Sequence, residues 1–210
     1  MFTAEQAVAW IRATAAVMEE QAGYLTKLDS AIGDGDHGTN MNRGFKAAVA
    51  RLDALDDGDL AGVFRAVSMA LIGKVGGASG PLYGSLYLGM SKQLGDATSV
   101  EDEQLAAALR AGYDAVVARG RAQLDDKTML DAWHPALEAL DGALADGKEL
   151  GAALDDAERA AEEGMKATIP LVARKGRASY LGERSRDHQD PGATSSHLIV
   201  QALANVVNGR

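Results

Sequence analysis

Leu28-Asp-Ser-Ala-Ile-Gly-Asp-Gly-Asp-His-Gly-Thr-Asn-Met-Asn-Arg-Gly-Phe-Lys-Ala-Ala-Val-Ala-Arg-Leu52 joins two kinds of sequence in one run. Its second half repeats apolar residues at helical spacing, with Met41, Phe45, Val49 and Leu52 on one face of a 3.6-residue turn. Its first half places Asp29, Asp34, Asp36 and His37 among Gly33, Gly35 and Gly38. Adjacent carboxylates repel, so a tight loop that gathers them needs a compensating charge. A hard divalent cation supplies it, because Mg²⁺ and Ca²⁺ take oxygen ligands. Glycines allow the positive φ values that bring such oxygens together. A plain polar turn between helices is the alternative, but an ordinary turn does not need this acidic density. An EF-hand is excluded, since no Glu stands at the twelfth loop position and the aspartate spacing differs.

The helical period extends in both directions from this run. Val8, Ile11, Ala15 and Met18 form a first stripe, opened by a Thr3/Gln6 capping box. Further helices are predicted around Leu60–Leu71, Leu82–Met90, Leu105–Val116, Trp133–Leu144 and Leu150–Met165, the last of these ended or bent near Pro170. A final helix runs through Leu198, Ile199, Ala202 and Val206. No alternating strand pattern is present. The expectation is an all-α fold of about eight helices forming a single domain over 1–210.

Composition narrows the function classes. A net charge of −9 argues against general binding to nucleic acid or an anionic membrane. The absence of cysteine removes disulfides, thiolate metal sites and a cysteine nucleophile. No apolar run approaches the roughly 18 residues of a spanning helix, and the first turns carry charges at helical spacing rather than a signal peptide. A cytoplasmic protein is expected.

Four other segments carry chemistry. Gly76-Gly-Ala-Ser-Gly-Pro-Leu-Tyr-Gly84 reads as a glycine loop before a helix N-terminus near Pro81, capped by Ser79, a ready anion site; tight helix contact explains such glycines equally well. Asp190-Pro191-Gly192 repeats the pattern before the last helix. In Asp125-Asp-Lys-Thr-Met129, Asp126 and Lys127 could touch phosphate or metal and Met129 could pack on a purine; an acidic, capped helix start is the competing reading. Between about 175 and 192 the helical period fails. Arg174, Lys175, Arg177, Arg184 and Arg186 concentrate there, as in a lid over an anion. Of the histidines, His37 and His188 lie in polar segments and are the better ligand candidates; His134 and His197 fall within helical patterns. Acidic ligands, glycine-rich helix starts and an arginine-rich lid are together the parts of a Mg²⁺-nucleotide site.

The same blocks, Ile32–Phe45, Val75–Gly84, Gly120 with Asp126–Met129, and Ala173–Ser185 with His188–Ser195, stand in the order of a known family. The chain resembles the nucleotide-binding L subunit of dihydroxyacetone kinase. Leu124-Asp125 departs from the Pro-Gly that often precedes the Asp-Lys-Thr of that family. The resemblance implies a barrel of eight antiparallel helices with ADP or ATP at one end. It implies two Mg²⁺ ions on Asp29, Asp34 and Asp36, with these aspartates and Arg177 catalytic and Arg177 also among the residues around the nucleotide. His37, Gly38, Thr39, Asn40, Ala78, Ser79, Gly120, Met129, Asp190, Pro191 and Gly192 would surround the nucleotide. The hydroxyketone would sit on a separate K subunit. The resemblance leaves two donors open. In one, ADP is a bound coenzyme rephosphorylated by an M subunit of the phosphotransferase system, which a free-standing chain favours. In the other, a split ketose kinase exchanges ATP. A regulatory module that binds a transcriptional regulator, a homodimer and a Mg²⁺-dependent phosphohydrolase are further readings.

Overall fold

Capping chemistry starts many of the helices. In the computed structural model, which describes residues 1–55 and 58–210, Thr3 accepts from the Gln6 amide at 3.2 Å and Gln6 returns the bond to the Thr3 amide at 3.1 Å. This box opens α1 (Ala4–Glu20). After a break at Gln21, α2 (Ala22–Ile32) leads into the acidic loop, and α3 (His37–Leu52) leaves it. Asp59 caps α4 (Leu60–Lys74), α5 spans Ser79–Leu94, and a Glu101/Gln104 box opens α6 (Asp102–Gly120). Then come α7 (Leu130–Ala145), α8 (Leu150–Ala167), 3₁₀ turns over Arg177–Ser185, and α9 (Pro191–Val207).

Neighbour packing closes these helices into a ring. From α3 each helix packs on the next through α9, α9 packs on α1, and α1 returns to α3; α2 lies outside against α3 and α9. Among the described residues eight helices thus form the barrel; the periodicity predicts about that many helices and the family resemblance their barrel arrangement. The α5–α6 seam is close because Gly89 and Gly112 face it: a Cβ on Gly89 would lie 2.6 Å from the Ala111 carbonyl, and one on Gly112 2.6 Å from that of Leu86. Trp10, Phe45, Phe64 and Tyr87 fill the middle, with ring centroids 5.8–6.3 Å apart. Trp10 Nε1 donates to the Ile199 carbonyl at 2.9 Å and ties α1 to α9.

Two features differ from the sequence expectation. Phe2–Thr3 pairs antiparallel with Ser99–Val100 at one end of the barrel. Two-residue strands are too short to show an alternating pattern. The segment after Lys175 is not a bare loop: Gly176 and Gly182 take φ of 65° and 55°, interrupting the helical period while 3₁₀ turns form between and after them. Among the described residues, no helix is long and apolar enough to cross a membrane.

Candidate functional site

One end of the barrel holds a cavity of about 410 Å³ where the N-termini of α3, α5, α7 and α9 converge. Their aligned dipoles, with the first-turn N–H groups that no side chain caps, make this end favourable to anions.

The acidic loop forms one wall. Asp29, in the last turn of α2, is buried, and its Oδ2 accepts the amides of Asp36 at 2.9 Å and His37 at 3.1 Å. It therefore caps α3 from the preceding helix. Asp36 makes no side-chain cap bond of its own, so its carboxylate is free to face the cavity with that of Asp34. One carboxylate oxygen from each of Asp29, Asp34 and Asp36 lies within 4.8 Å of the others. An all-oxygen set of three carboxylates on a tight loop, with one positive side chain beside it, fits a hard divalent cation. That side chain is Arg177, whose Nε stands 3.0 Å from Asp34 Oδ2. The first 3₁₀ turn thereby brings the arginine-rich segment over the acidic loop. Of its five basic residues, Lys175 and Arg177 line the cavity, while Arg186 is turned to Glu183 and the Pro170 carbonyl.

His37 connects the helix starts. Its Nε2 is 2.8 Å from Ser195 Oγ on α9 and its Nδ1 is 3.3 Å from Ser79 Oγ on α5. Burial pulls the imidazole below its ordinary pKa, against the pull of Asp29, Asp36 and Asp34. Tyr83, one turn beyond Ser79, donates or accepts at Ser195 (2.7 Å) and Ser196 (2.9 Å) and donates to the Gly192 carbonyl at 3.0 Å. Burial pushes the Tyr83 phenol up, so it remains neutral. Neither Tyr83 nor Ser195 was picked out from sequence, although i,i+4 spacing from Ser79 places Tyr83 on the same face.

Asp190 caps α9 through the Ala193 amide at 2.7 Å. Burial raises its carboxyl to about 7; the Ala193 amide and Lys127 oppose this, and Asp131 and Asp29 add to it. Pro191 and Gly192 complete this side, and Leu82, Val116, Gly120, Met129 and Leu130 supply a largely apolar wall.

Twelve of the fifteen expected residues thus line one cavity: Asp29, Asp34, Asp36, His37, Ala78, Ser79, Gly120, Met129, Arg177, Asp190, Pro191 and Gly192. Gly38, Thr39 and Asn40 do not. A Cβ on Gly38 would lie 2.0 Å from the Ala22 carbonyl, so this glycine lets α2 and α3 touch. Asn40 is buried and its Oδ1 accepts from Arg43 Nη2 at 2.6 Å; Thr39 is exposed. His188 is exposed and absent from the cavity wall. Ser79 begins α5 rather than capping a helix near Pro81; the preceding Ala78 has no capping side chain. The glycine block divides between two tasks: Gly76 and Gly77 form the rim, whereas Gly80 and Gly84 press on α4.

Lys127 differs from expectation as well. It lies in the cavity wall, but its ammonium is taken up by the carbonyls of Thr168 (2.8 Å), Leu171 (3.0 Å) and Ile169 (3.3 Å). Carbonyls left open beyond a helix C-terminus attract a cation. The Asp126 carboxylate likewise accepts the Gln123 amide at 2.8 Å.

Comparison with known proteins agrees with this geometry. The DAK2 domain model matches residues 31–205. The chain is 43% identical to the "PEP-dependent dihydroxyacetone kinase, ADP-binding subunit DhaL" of Escherichia coli K12, covering 95% of each chain. It is 41% identical to the "PTS-dependent dihydroxyacetone kinase, ADP-binding subunit DhaL" of Lactococcus lactis, covering 99% of this chain and all of that one. Among solved structures, the dihydroxyacetone kinase of C. freundii in complex with AMP-PNP and Mg²⁺ superposes with a TM-score of 0.72 at 26% identity, over 94% of this chain and 33% of that one. With the family model covering most of its length and full-length relatives above 40% identity, the chain belongs to the DAK2 domain family, which includes the ADP-binding subunits of dihydroxyacetone kinases.

Proposed function

We propose that this chain is the nucleotide-carrying subunit of a dihydroxyacetone kinase, a single domain over 1–210 with its lid at about 175–192. In this reading ADP stays in the cavity as a coenzyme. A phosphotransferase-system M subunit loads a phosphoryl group onto it, and a hydroxyketone on a separate K subunit receives that group. In this reading the reaction takes place in the cytoplasm. One observation carries the reading: an acidic triad, four helix N-termini and an arginine meet at a single cavity. The relatives named as ADP-binding subunits support the choice of donor, because the chain covers nearly all of their length.

Each part has a physical role. Asp29, Asp34 and Asp36 would hold Mg²⁺, taken here as two ions, whose charge offsets that of the phosphates. The helix-start amides around Ala78, Ser79 and Asp190–Gly192 orient phosphate oxygens without reorganising. Leu82, Val116 and Met129 offer an apolar surface to the base. Arg177 sits over the acidic loop, where it supplies positive charge during transfer. Transfer of this kind depends on positioning and electrostatics more than on a protein nucleophile.

The test is Asp34→Ala assayed with the K subunit and a phosphoryl donor. Transfer should fall by a factor on the order of 10³, with the helical circular dichroism unchanged. A wild-type rate would remove the acidic loop from the chemistry.

A further inference from the structure

We propose that Lys127 is a positioning residue that clamps the stem of the lid to the wall of the nucleotide cavity and so sets where Arg177 stands. This rests on the reading of the cavity as a nucleotide site closed by Arg177.

Lys127 is 1% exposed, the most deeply buried charge in the chain's described residues. Its ammonium has three donors, and three backbone carbonyls receive them: Thr168, Ile169 and Leu171, immediately past the end of α8. A lysine merely filling space would leave some of these donors facing water. The gathered strip is where the lid leaves and returns. The Arg174 amide donates to the Asp126 carbonyl at 3.0 Å, and the Asp187 amide donates to the Ile169 carbonyl at 2.8 Å. Between these two ties lies the segment that carries Arg177, closed further by Ser185 Oγ accepting the Ala173 amide at 2.9 Å.

The same turn belongs to the cavity wall, since Lys127, Thr128 and Met129 all line it. The turn is built stiffly. Asp125 and Lys127 both take left-handed φ, at 65° and 63°, a conformation non-glycine residues rarely hold. The buried Asp131 carboxylate fixes it by accepting the Asp125 amide at 2.6 Å and the Thr128 amide at 2.7 Å. One rigid turn therefore touches the nucleotide wall on one side and both ends of the lid on the other. A shift on either side is carried to the other through the lysine.

The experiment measures release of a fluorescent ADP derivative from the Mg²⁺-loaded chain by stopped flow. Lys127→Met should speed release about ten- to a hundredfold, as expected for losing charge-assisted hydrogen bonds that hold a lid. Arg177→Ala should speed it too. The double variant should be no faster than the faster single variant, because the lysine acts through the arginine. Multiplying effects would make Lys127 a general stability residue and overturn the proposal, as would wild-type release from Lys127→Met. If Arg177→Ala alone leaves release unchanged, the lid reading fails and this proposal with it.

Chemical rescue separates positioning from packing. The chain has no cysteine, so Lys127→Cys can be alkylated at one site while unfolded and then refolded. The aminoethyl thioether, a near copy of lysine, should restore slow release, and the neutral propyl thioether should not. Equal behaviour of the two overturns the proposal. Should these variants fail to fold, hydrogen exchange on the unaltered chain decides. The Arg174 and Asp187 amides should be protected, and more so with Mg-ADP; free exchange at both would refute the clamp.

Discussion

Asp190 serves a helix and bears a charge in the same place. Its carboxylate caps α9, yet burial raises its pKa to about 7. A carboxyl raised on folding binds its proton more tightly in the native state, so it stabilises the fold below its unfolded pKa. That contribution is lost as pH rises from about 4 to about 7. Asparagine caps equally well without the charge. In nucleotide-free protein with chelator, Asp190→Asn should match wild type below about pH 3.5 and exceed it by about 1–4 kcal/mol at pH 8, read from urea melts. Parallel pH profiles would contradict the buried-charge argument. Gly38 makes a purely steric prediction. A methyl there meets the Ala22 carbonyl, so Gly38→Ala should lower stability by about 1–3 kcal/mol or more. Unchanged urea stability would show that α2 and α3 can separate freely.

At the scale of elements, Asp29 and Asp36 are both acidic-loop residues with different loads. Asp29 holds the α3 N-terminus through two amides, whereas Asp36 makes no cap bond. Without metal, Asp29→Ala should cost about 0.5–2 kcal/mol, while Asp36→Ala should be neutral or stabilising, since it relieves repulsion. Both should lose the rise in melting temperature on adding Mg²⁺. Calorimetry with EDTA and with Mg²⁺ checks this, and equal metal-free losses would remove the capping role. The acidic loop was legible because its members lie within eight residues and turn chemistry is local. Lys127 was not, because its carbonyl partners stand 41–44 residues away and only the folded chain brings them together. The eight barrel helices were legible through their apolar period. The short α2 was not, since Gln21 breaks it from α1 without a glycine or proline at that position. Gly38 and Asn40 sit in the same motif as His37, and sequence alone does not separate a residue that contacts a ligand from one that lets helices meet.

Across the whole molecule, the alternating helix directions place four N-termini at one end and so concentrate favourable potential where phosphates would lie, in a chain whose net charge is −9. Global charge therefore opposes a nucleotide while the local field attracts it, and the acidic loop needs a cation to reconcile them. Binding that uses metal and nucleotide together stabilises the fold by mass action, so Mg-ADP should raise the melting temperature more than Mg²⁺ or ADP added alone. A resident coenzyme is tested by purifying the chain in Mg²⁺, denaturing it, and identifying and counting the nucleotide set free. Stoichiometric ADP that survives dialysis with Mg²⁺ and is lost with EDTA is the expected result. An empty protein that binds ATP reversibly would contradict the resident coenzyme and favour an ATP-exchanging kinase subunit.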